Sequence, residues 1–212
     1  MSIMDLFDDE MIELQPSLTL IKGMATAQAS QFWQSVMTIS RQSPFRKMQT
    51  PGGQWMSAEI TNCGTVGWVS DRQGYRYVNR DPLTDQPWPL MPVTLYEFAC
   101  EAASRAGFEG FSPDICLINR YRIASKMGLH QDRDERDFAQ PIVSVSLGLS
   151  ANFLFGGERR NSSTQSILLE HGDVLVWGGP LRKYFHGISK IYPGDDPLTG
   201  PYRVNLTFRR AL

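Results

Sequence analysis

Val204, Leu206 and Phe208 alternate with Arg203, Asn205, Thr207 and Arg209, a period of two that predicts a strand with one apolar face and one polar face. Short runs of strand texture fill the chain from Phe111 onward, over 115–121, 142–149, 152–155, 167–170 and 174–177. Gly156-Gly157, His171-Gly172-Asp173 and Gly178-Gly179 stand between them, at hairpin or corner positions. Nearer the N-terminus the apolar spacing becomes helical. Phe32, Val36 and Ile39 predict a helix over 27–40 capped by Thr26, and Leu95, Phe98, Ala99, Ala102 and Ala106 predict a second over 91–107 with Gly107 as its stop. Both helices are expected to support a sheet, and many short strands joined by glycine turns point to a sandwich or a barrel.

The segment 41–92 has a different texture. Pro44, Pro51, Gly52, Gly53, Gly64, Gly67, Gly74, Pro82, Pro87 and Pro89 argue against any long element there. Trp55, Trp68, Tyr75, Tyr77 and Trp88 nevertheless supply rings, interspersed with Arg46, Lys47, Arg72, Arg76 and Arg80. Such a segment either stacks bases and tracks phosphates or packs its rings on the core as an ordinary loop.

With 212 residues, 42% of them hydrophobic, the chain has enough apolar material for one domain with a substantial core. Three cysteines, Cys63, Cys100 and Cys116, have neither disulfide nor zinc-ribbon spacing and suit a reducing compartment. Acidic Asp5, Asp8, Asp9 and Glu10 replace the positive start of a signal peptide, and no apolar run reaches the length of a membrane span, so a cytoplasmic protein is expected. The net charge of −1 disfavours a phosphate-binding surface at first sight. Residues 1–15 hold five of the acids and no base, however, leaving 21 basic against 17 acidic side chains elsewhere, or +4. That bias suits contact with a few nucleotides better than high-affinity sequence reading.

His130 and Asp132, two apart, fall on one face of an extended segment, and a second imidazole such as the distant His186 closes a three-ligand site. Two imidazoles and one carboxylate with open positions suit a non-haem Fe(II) oxygenase, although zinc hydrolases also mix these ligands. Arg203 and Arg209 on one face of a core strand call for an anion, and a dicarboxylate co-substrate such as 2-oxoglutarate would chelate the metal at its keto acid end and meet Arg203 at the other. Taken singly, an H-x-D triplet arises by chance and two arginines make structural ion pairs. Their order along a chain with only three histidines is what joins them.

In that order, and in Gln42-Ser43-Pro44-Phe45-Arg46, Thr50-Pro51-Gly52-Gly53, Thr61-Asn62-Cys63-Gly64, Cys116-Leu117-Ile118-Asn119-Arg120-Tyr121, Leu129-His130-Gln131-Asp132, the run from Pro141 to Leu149 and Arg203-x-Asn205-x-Thr207-Phe208-Arg209, the chain resembles the AlkB-type Fe(II) and 2-oxoglutarate-dependent dioxygenases. It departs from them in the loop Ile123-Ala124-Ser125-Lys126-Met127-Gly128, where a Pro-Gly pair is usual. The resemblance implies a mainly β fold with flanking helices (α+β), a double-stranded β-helix or jelly-roll core with a nucleotide-recognition lid. It divides 1–212, a single dioxygenase domain, into an N-terminal segment and helix (1–42), the lid (43–92), a supporting helix (93–110) and the catalytic core (111–212).

The same resemblance implies iron ligands His130, Asp132 and His186, leaving His171 structural, and 2-oxoglutarate contacts from Asn119, Tyr121, Arg203, Asn205 and Arg209. It places Thr50, Trp68, Tyr75, Arg76, Tyr77, Asp134, Glu135 and Arg160 on the substrate side, with Trp68 stacking on an extruded base and Asp134 favouring the positive charge of 1-methyladenine or 3-methylcytosine. Fe(II), 2-oxoglutarate and dioxygen are the implied cofactor and co-substrates. The implied partner is alkylated single- or double-stranded DNA, with RNA as a further candidate, met by a monomer that releases formaldehyde and succinate. The rival readings are an oxygenase of this fold acting on protein or lipid, and a jelly-roll binding module with a vestigial metal site.

Overall fold

The computed structural model describes residues 10–212; Asp5, Asp8 and Asp9 of the acidic N-terminus lie outside the described residues. The chain opens with strands β1 (Met11–Gln15) and β2 (Leu18–Ile21), helix α1 (Ala29–Gln42), and strands β3 (Arg46–Gln49) and β4 (Trp55–Gly64). Two small hairpins follow, β5 (Gly67–Asp71) with β6 (Gly74–Val78) and β7 (Arg80–Asp81) with β8 (Gln86–Pro87), then helix α2 (Val93–Arg105). The second half is β9 (Ile115–Tyr121), β10 (Met127–His130), β11 (Ile142–Gly148), β12 (Ala151–Phe155), β13 (Gln165–Leu169), β14 (Val174–Trp177), β15 (His186–Ile191) and β16 (Arg203–Arg209).

Eight strands form an antiparallel sheet in the order β1-β2-β14-β11-β16-β9-β4-β3, and β10-β15-β12-β13 form a smaller one. Side-chain alternation then decides what each face meets. Val204, Leu206 and Phe208 of β16, Val143 and Val145 of β11 and Val174 and Val176 of β14 share one core with Phe32, Val36 and Ile39 of α1 and Leu95, Phe98 and Ala102 of α2. The opposite residues of the sheet turn inward, where Leu175 and Trp177 pack with Phe153, Phe155 and Ile167 of the small sheet. This is the jelly-roll arrangement, with both helices on the outer face of the larger sheet. The polar face of β16 therefore lies between the sheets, where a charge is left to find a partner inside the protein.

Three local expectations need correction. Helix α1 begins at Ala29 with Gln28 at the N-cap and no side-chain cap, and it continues to Gln42. Thr26 is drawn instead into a turn against the β13–β14 corner: its neighbour Ala25 donates to the Gly172 carbonyl at 2.9 Å, and a Cβ on Gly172 would lie 2.1 Å from Thr26 Oγ1. Helix α2 starts at Val93, because Pro92 is extended with ψ 137° and disfavours helix in the residue before it. Gly107 does terminate it, with φ +84°.

The third correction concerns the turn-rich segment, which contains the ten-residue strand β4, hydrogen-bonded to β9 on one side and to the edge strand β3 on the other. Ala58 and Ile60 are buried on one face of β4 while Trp55 and Ser57 lie on the other, so the strand period is present between the flanking breakers. Gly64 is required where β4 ends: its φ is +126° and a Cβ would stand 2.2 Å from the Asp114 carbonyl oxygen. Strands β1 and β2 extend the same sheet at its other end. Among the described residues no helix is long and apolar enough to cross a membrane.

Candidate metal centre

His130 closes β10 and His186 opens β15, and the two are directly opposed in the antiparallel pair. Cross-strand partners point to the same side of a sheet, so their rings meet, with centroids 4.5 Å apart. Asp132 follows in the loop after β10 and brings its carboxylate 3.7 Å from His130 Nε2 and 3.6 Å from His186 Nε2. One ligand atom from each of the three lies within 4.8 Å of the others.

Each imidazole is held in the tautomer a metal needs. His130 Nδ1 lies 3.0 Å from the Gly128 carbonyl and His186 Nδ1 lies 3.0 Å from the Tyr184 carbonyl. A carbonyl only accepts, so each Nδ1 carries the proton and each Nε2 presents its lone pair. Burial, with the neighbouring His186 ring, pushes His130 down to about 4, which keeps it neutral at ordinary pH. Burial alone would raise Asp132, but the Arg209 guanidinium outweighs it and holds the carboxyl well below its usual range. Two imidazoles whose Nε2 atoms turn toward one ionised carboxylate on one side of a cavity fit a divalent iron with open positions.

Behind Asp132 stands a buried ionic network. Arg209 Nη2 is 2.7 Å from Asp132 Oδ2, Arg209 donates to Tyr77 Oη at 3.2 Å, and Tyr77 donates to Glu135 Oε1 at 2.6 Å. Arg182, 1% exposed, donates to the Asp132 carbonyl at 3.1 Å and to the Gln140 carbonyl at 3.0 Å, and lies 3.5 Å from Glu135. Nothing periodic in the chain marked Arg182. Phe153 and Trp177, also outside the expected site, pack on the His186 ring at 5.7 and 5.2 Å.

The metal ligands open onto a cavity of about 680 Å³ between the sheets. Arg203 is fully buried in its wall, held by the Leu149 carbonyl at 3.3 Å and Ser146 Oγ at 2.9 Å, with Nε unpartnered. Among the described residues no carboxylate comes within ion-pair distance of it, and burial pushes it down to about 10 against the opposing influence of Tyr121 and Asp173. Asn119 Oδ1 is buried without a partner. Burial raises the Tyr121 phenol, despite Arg203 and Arg209 nearby, so it remains a proton donor. An unpaired guanidinium, a phenol and an amide facing one cavity beside open metal positions fit a dicarboxylate. Asn205 faces the cavity too, but its amide is engaged with Ser144 Oγ at 2.8 Å and the Val145 carbonyl at 3.0 Å.

The cavity mouth carries Thr50, Trp68, Tyr75, Asp134 and Arg160. Trp68 and Tyr75 are diagonal neighbours on one face of the β5–β6 ribbon and stack with centroids 5.6 Å apart. Trp68 Nε1 donates to Asp134 Oδ2 at 3.2 Å. Three residues expected on the substrate side are elsewhere. Arg76 occupies the other face of the ribbon, opposite Val69, and pairs with Asp71 at 2.7 and 2.8 Å. Tyr77 and Glu135 belong to the network behind Asp132 and do not line the cavity. His171 lies away from the centre, accepting from the Gly148 amide at 3.0 Å. The loop at 123–128, which lacks a Pro-Gly pair, is held by other means: Ala124 adopts φ +71°, and Ser57 of β4 donates to the Lys126 carbonyl at 2.6 Å and accepts its amide at 3.0 Å.

Residues 17–209 match the family model of the 2OG-Fe(II) oxygenase superfamily. The chain is 50% identical over 212 residues to the alpha-ketoglutarate-dependent dioxygenase AlkB of Salmonella typhimurium, covering 99% of this chain and 98% of that protein. It is 48% identical over the same span to the AlkB of Escherichia coli, with equal coverage. The solved structure of OsALKBH1 superposes with a TM-score of 0.83 at 30% identity, over 95% of this chain and 100% of that one.

Proposed function

The chain belongs to the 2OG-Fe(II) oxygenase superfamily and, within it, to the AlkB-type dioxygenases, and from that premise we propose that it removes alkyl groups oxidatively from damaged bases in nucleic acid. The observation that carries the reading is a single cavity whose inner end holds the metal ligands and the unpaired Arg203 and whose mouth holds the Trp68–Tyr75 pair and Asp134. A flat ring beside a carboxylate suits a base that is both aromatic and cationic, as 1-methyladenine and 3-methylcytosine are.

In this reading His130, Asp132 and His186 hold Fe(II), and Arg203 takes the far carboxylate of 2-oxoglutarate with Tyr121 and Asn119 alongside. Bound iron and 2-oxoglutarate would supply the oxidising chemistry, with dioxygen consumed in turning the keto acid into succinate and carbon dioxide and in hydroxylating a methyl carbon that is released as formaldehyde. The protein's own part is orientation. Trp68 supports one face of the extruded base, the His130 ring borders the other, and Asp134 favours the charged lesion over the neutral parent base. Arg209 keeps Asp132 ionised, and the apolar Phe153 and Trp177 keep water from the His186 side. Arg76, Tyr77 and Glu135 enter as supports of the ribbon and of Asp132 rather than as contacts to the base. We infer a cytoplasmic monomer that acts on single- or double-stranded DNA, with RNA as a further candidate; its three free cysteines suit a reducing compartment.

The test is anaerobic loading with Fe(II) and 2-oxoglutarate, exposure to air with oligonucleotides carrying 1-methyladenine or 3-methylcytosine, and mass spectrometry of both partners. The expected result is loss of the methyl group in step with succinate formation. An unaltered set of alkylated oligonucleotides, with succinate formed only on a protein or lipid addition, would overturn the proposal.

A further inference from the structure

Trp55 stands apart from the other four tryptophans of the chain, which are buried or half-buried, because 67% of its surface is exposed. It nevertheless lines the mouth of the cavity that holds Trp68 and His130. On β4 it shares a face with Ser57, and Ser57 is clasped in both directions to the backbone of Lys126, so Trp55 and Lys126 belong to the same rim. No other ring stacks on Trp55 among the described residues, whereas Trp68 already has Tyr75 against one face. Lys126, Arg133 and Arg160 border the same opening, and among the described residues none of the three has a carboxylate within ion-pair distance.

An exposed indole among unpaired cations is the combination by which proteins hold a single strand, ring against base and cation against phosphate. Extrusion of one base uncovers a face of the base beside it, which a free ring can then take. We propose that Trp55 is a second stacking platform, taking the base that flanks the extruded one while Lys126, Arg133 and Arg160 follow the adjoining phosphates. The inference rests on the nucleic-acid reading above and adds to it a contact with the base next to the lesion.

The experiment uses protein loaded with Mn(II) and 2-oxoglutarate and trinucleotides with central 3-methylcytosine, in which either the 5′ or the 3′ neighbour is a base or an abasic site. Binding is followed by fluorescence anisotropy. The wild type should lose about 5- to 150-fold in affinity when one particular neighbour becomes abasic, the range for one base stacked on one ring. Trp55→Ala should bind the intact trinucleotide weaker by a similar factor and then be indifferent to that abasic site, while Trp55→Phe should retain most of the sensitivity. A Trp55→Ala protein as sensitive as the wild type at both neighbours would overturn the platform and leave the nucleic-acid reading standing. A wild type that neither binds nor demethylates any of the trinucleotides would remove that reading and this inference with it.

Discussion

Arg203 should discriminate between dicarboxylates and monocarboxylates by roughly two orders of magnitude. It is fully buried, held by one hydroxyl and one carbonyl, and faced by no carboxylate within ion-pair distance among the described residues. Burial pushes its pKa down to about 10. For a base this sign means that the charged form is disfavoured in the folded protein: the cost is present in full at neutral pH and is relieved only as pH rises through about 10. At about 1.4 kcal/mol per pH unit the cost comes to about 3 kcal/mol. The far carboxylate of 2-oxoglutarate relieves it, and pyruvate, which keeps the chelating keto acid but lacks that group, does not. The wild type loaded with Mn(II) should therefore bind 2-oxoglutarate roughly 100-fold more tightly than pyruvate by isothermal titration calorimetry, the equivalent of about 3 kcal/mol. Arg203→Met, which keeps an unbranched apolar stem and lacks the charge, should bring that ratio close to one while pyruvate binding holds. Comparing two ligands within each protein cancels changes in folding stability. A Met variant that kept the hundredfold preference would show that the dicarboxylate is recognised elsewhere.

Three further outcomes test the centre and its surroundings. Asp132→Ala should abolish succinate formation and weaken Co(II) binding in absorption titrations by at least tenfold, and wild-type turnover in that variant would refute the ligand set. Glu135→Gln should lower stability in urea titrations by about 3 kcal/mol, since it leaves Arg182 and Arg209 short of a buried counter-charge; a change under 0.5 kcal/mol would mean that the network behind Asp132 contributes little. Asp134→Asn keeps an acceptor for Trp68 Nε1 and removes only the charge, so it should slow demethylation of 1-methyladenine and 3-methylcytosine about tenfold relative to neutral 3-methylthymine. Equal slowing of all three bases would end the role of Asp134 in sensing charge.

Local alternation and the ligand chemistry could be read from the chain alone. The polar face of β16 follows from its period of two, and it does turn inward with Arg203 and Arg209 aligned. His130 and Asp132 come together because they are near in sequence, whereas resemblance alone singled out His186 over His171. Packing decided the rest. Thr26 looked like a helix cap until the β13–β14 corner claimed it, and β4 lay hidden because breakers flank a strand that only its pairing with β9 stabilises. Arg76 and Tyr77 are adjacent in sequence yet face opposite sides of a two-stranded ribbon, one bound to Asp71 and the other to Glu135. Arg182 lies 50 residues from Asp132 along the chain and had no pattern to announce it. Periodicity reports which way a side chain points relative to its neighbours in sequence; which partner waits there depends on contacts between distant segments, and these exist only once the two sheets have closed on each other.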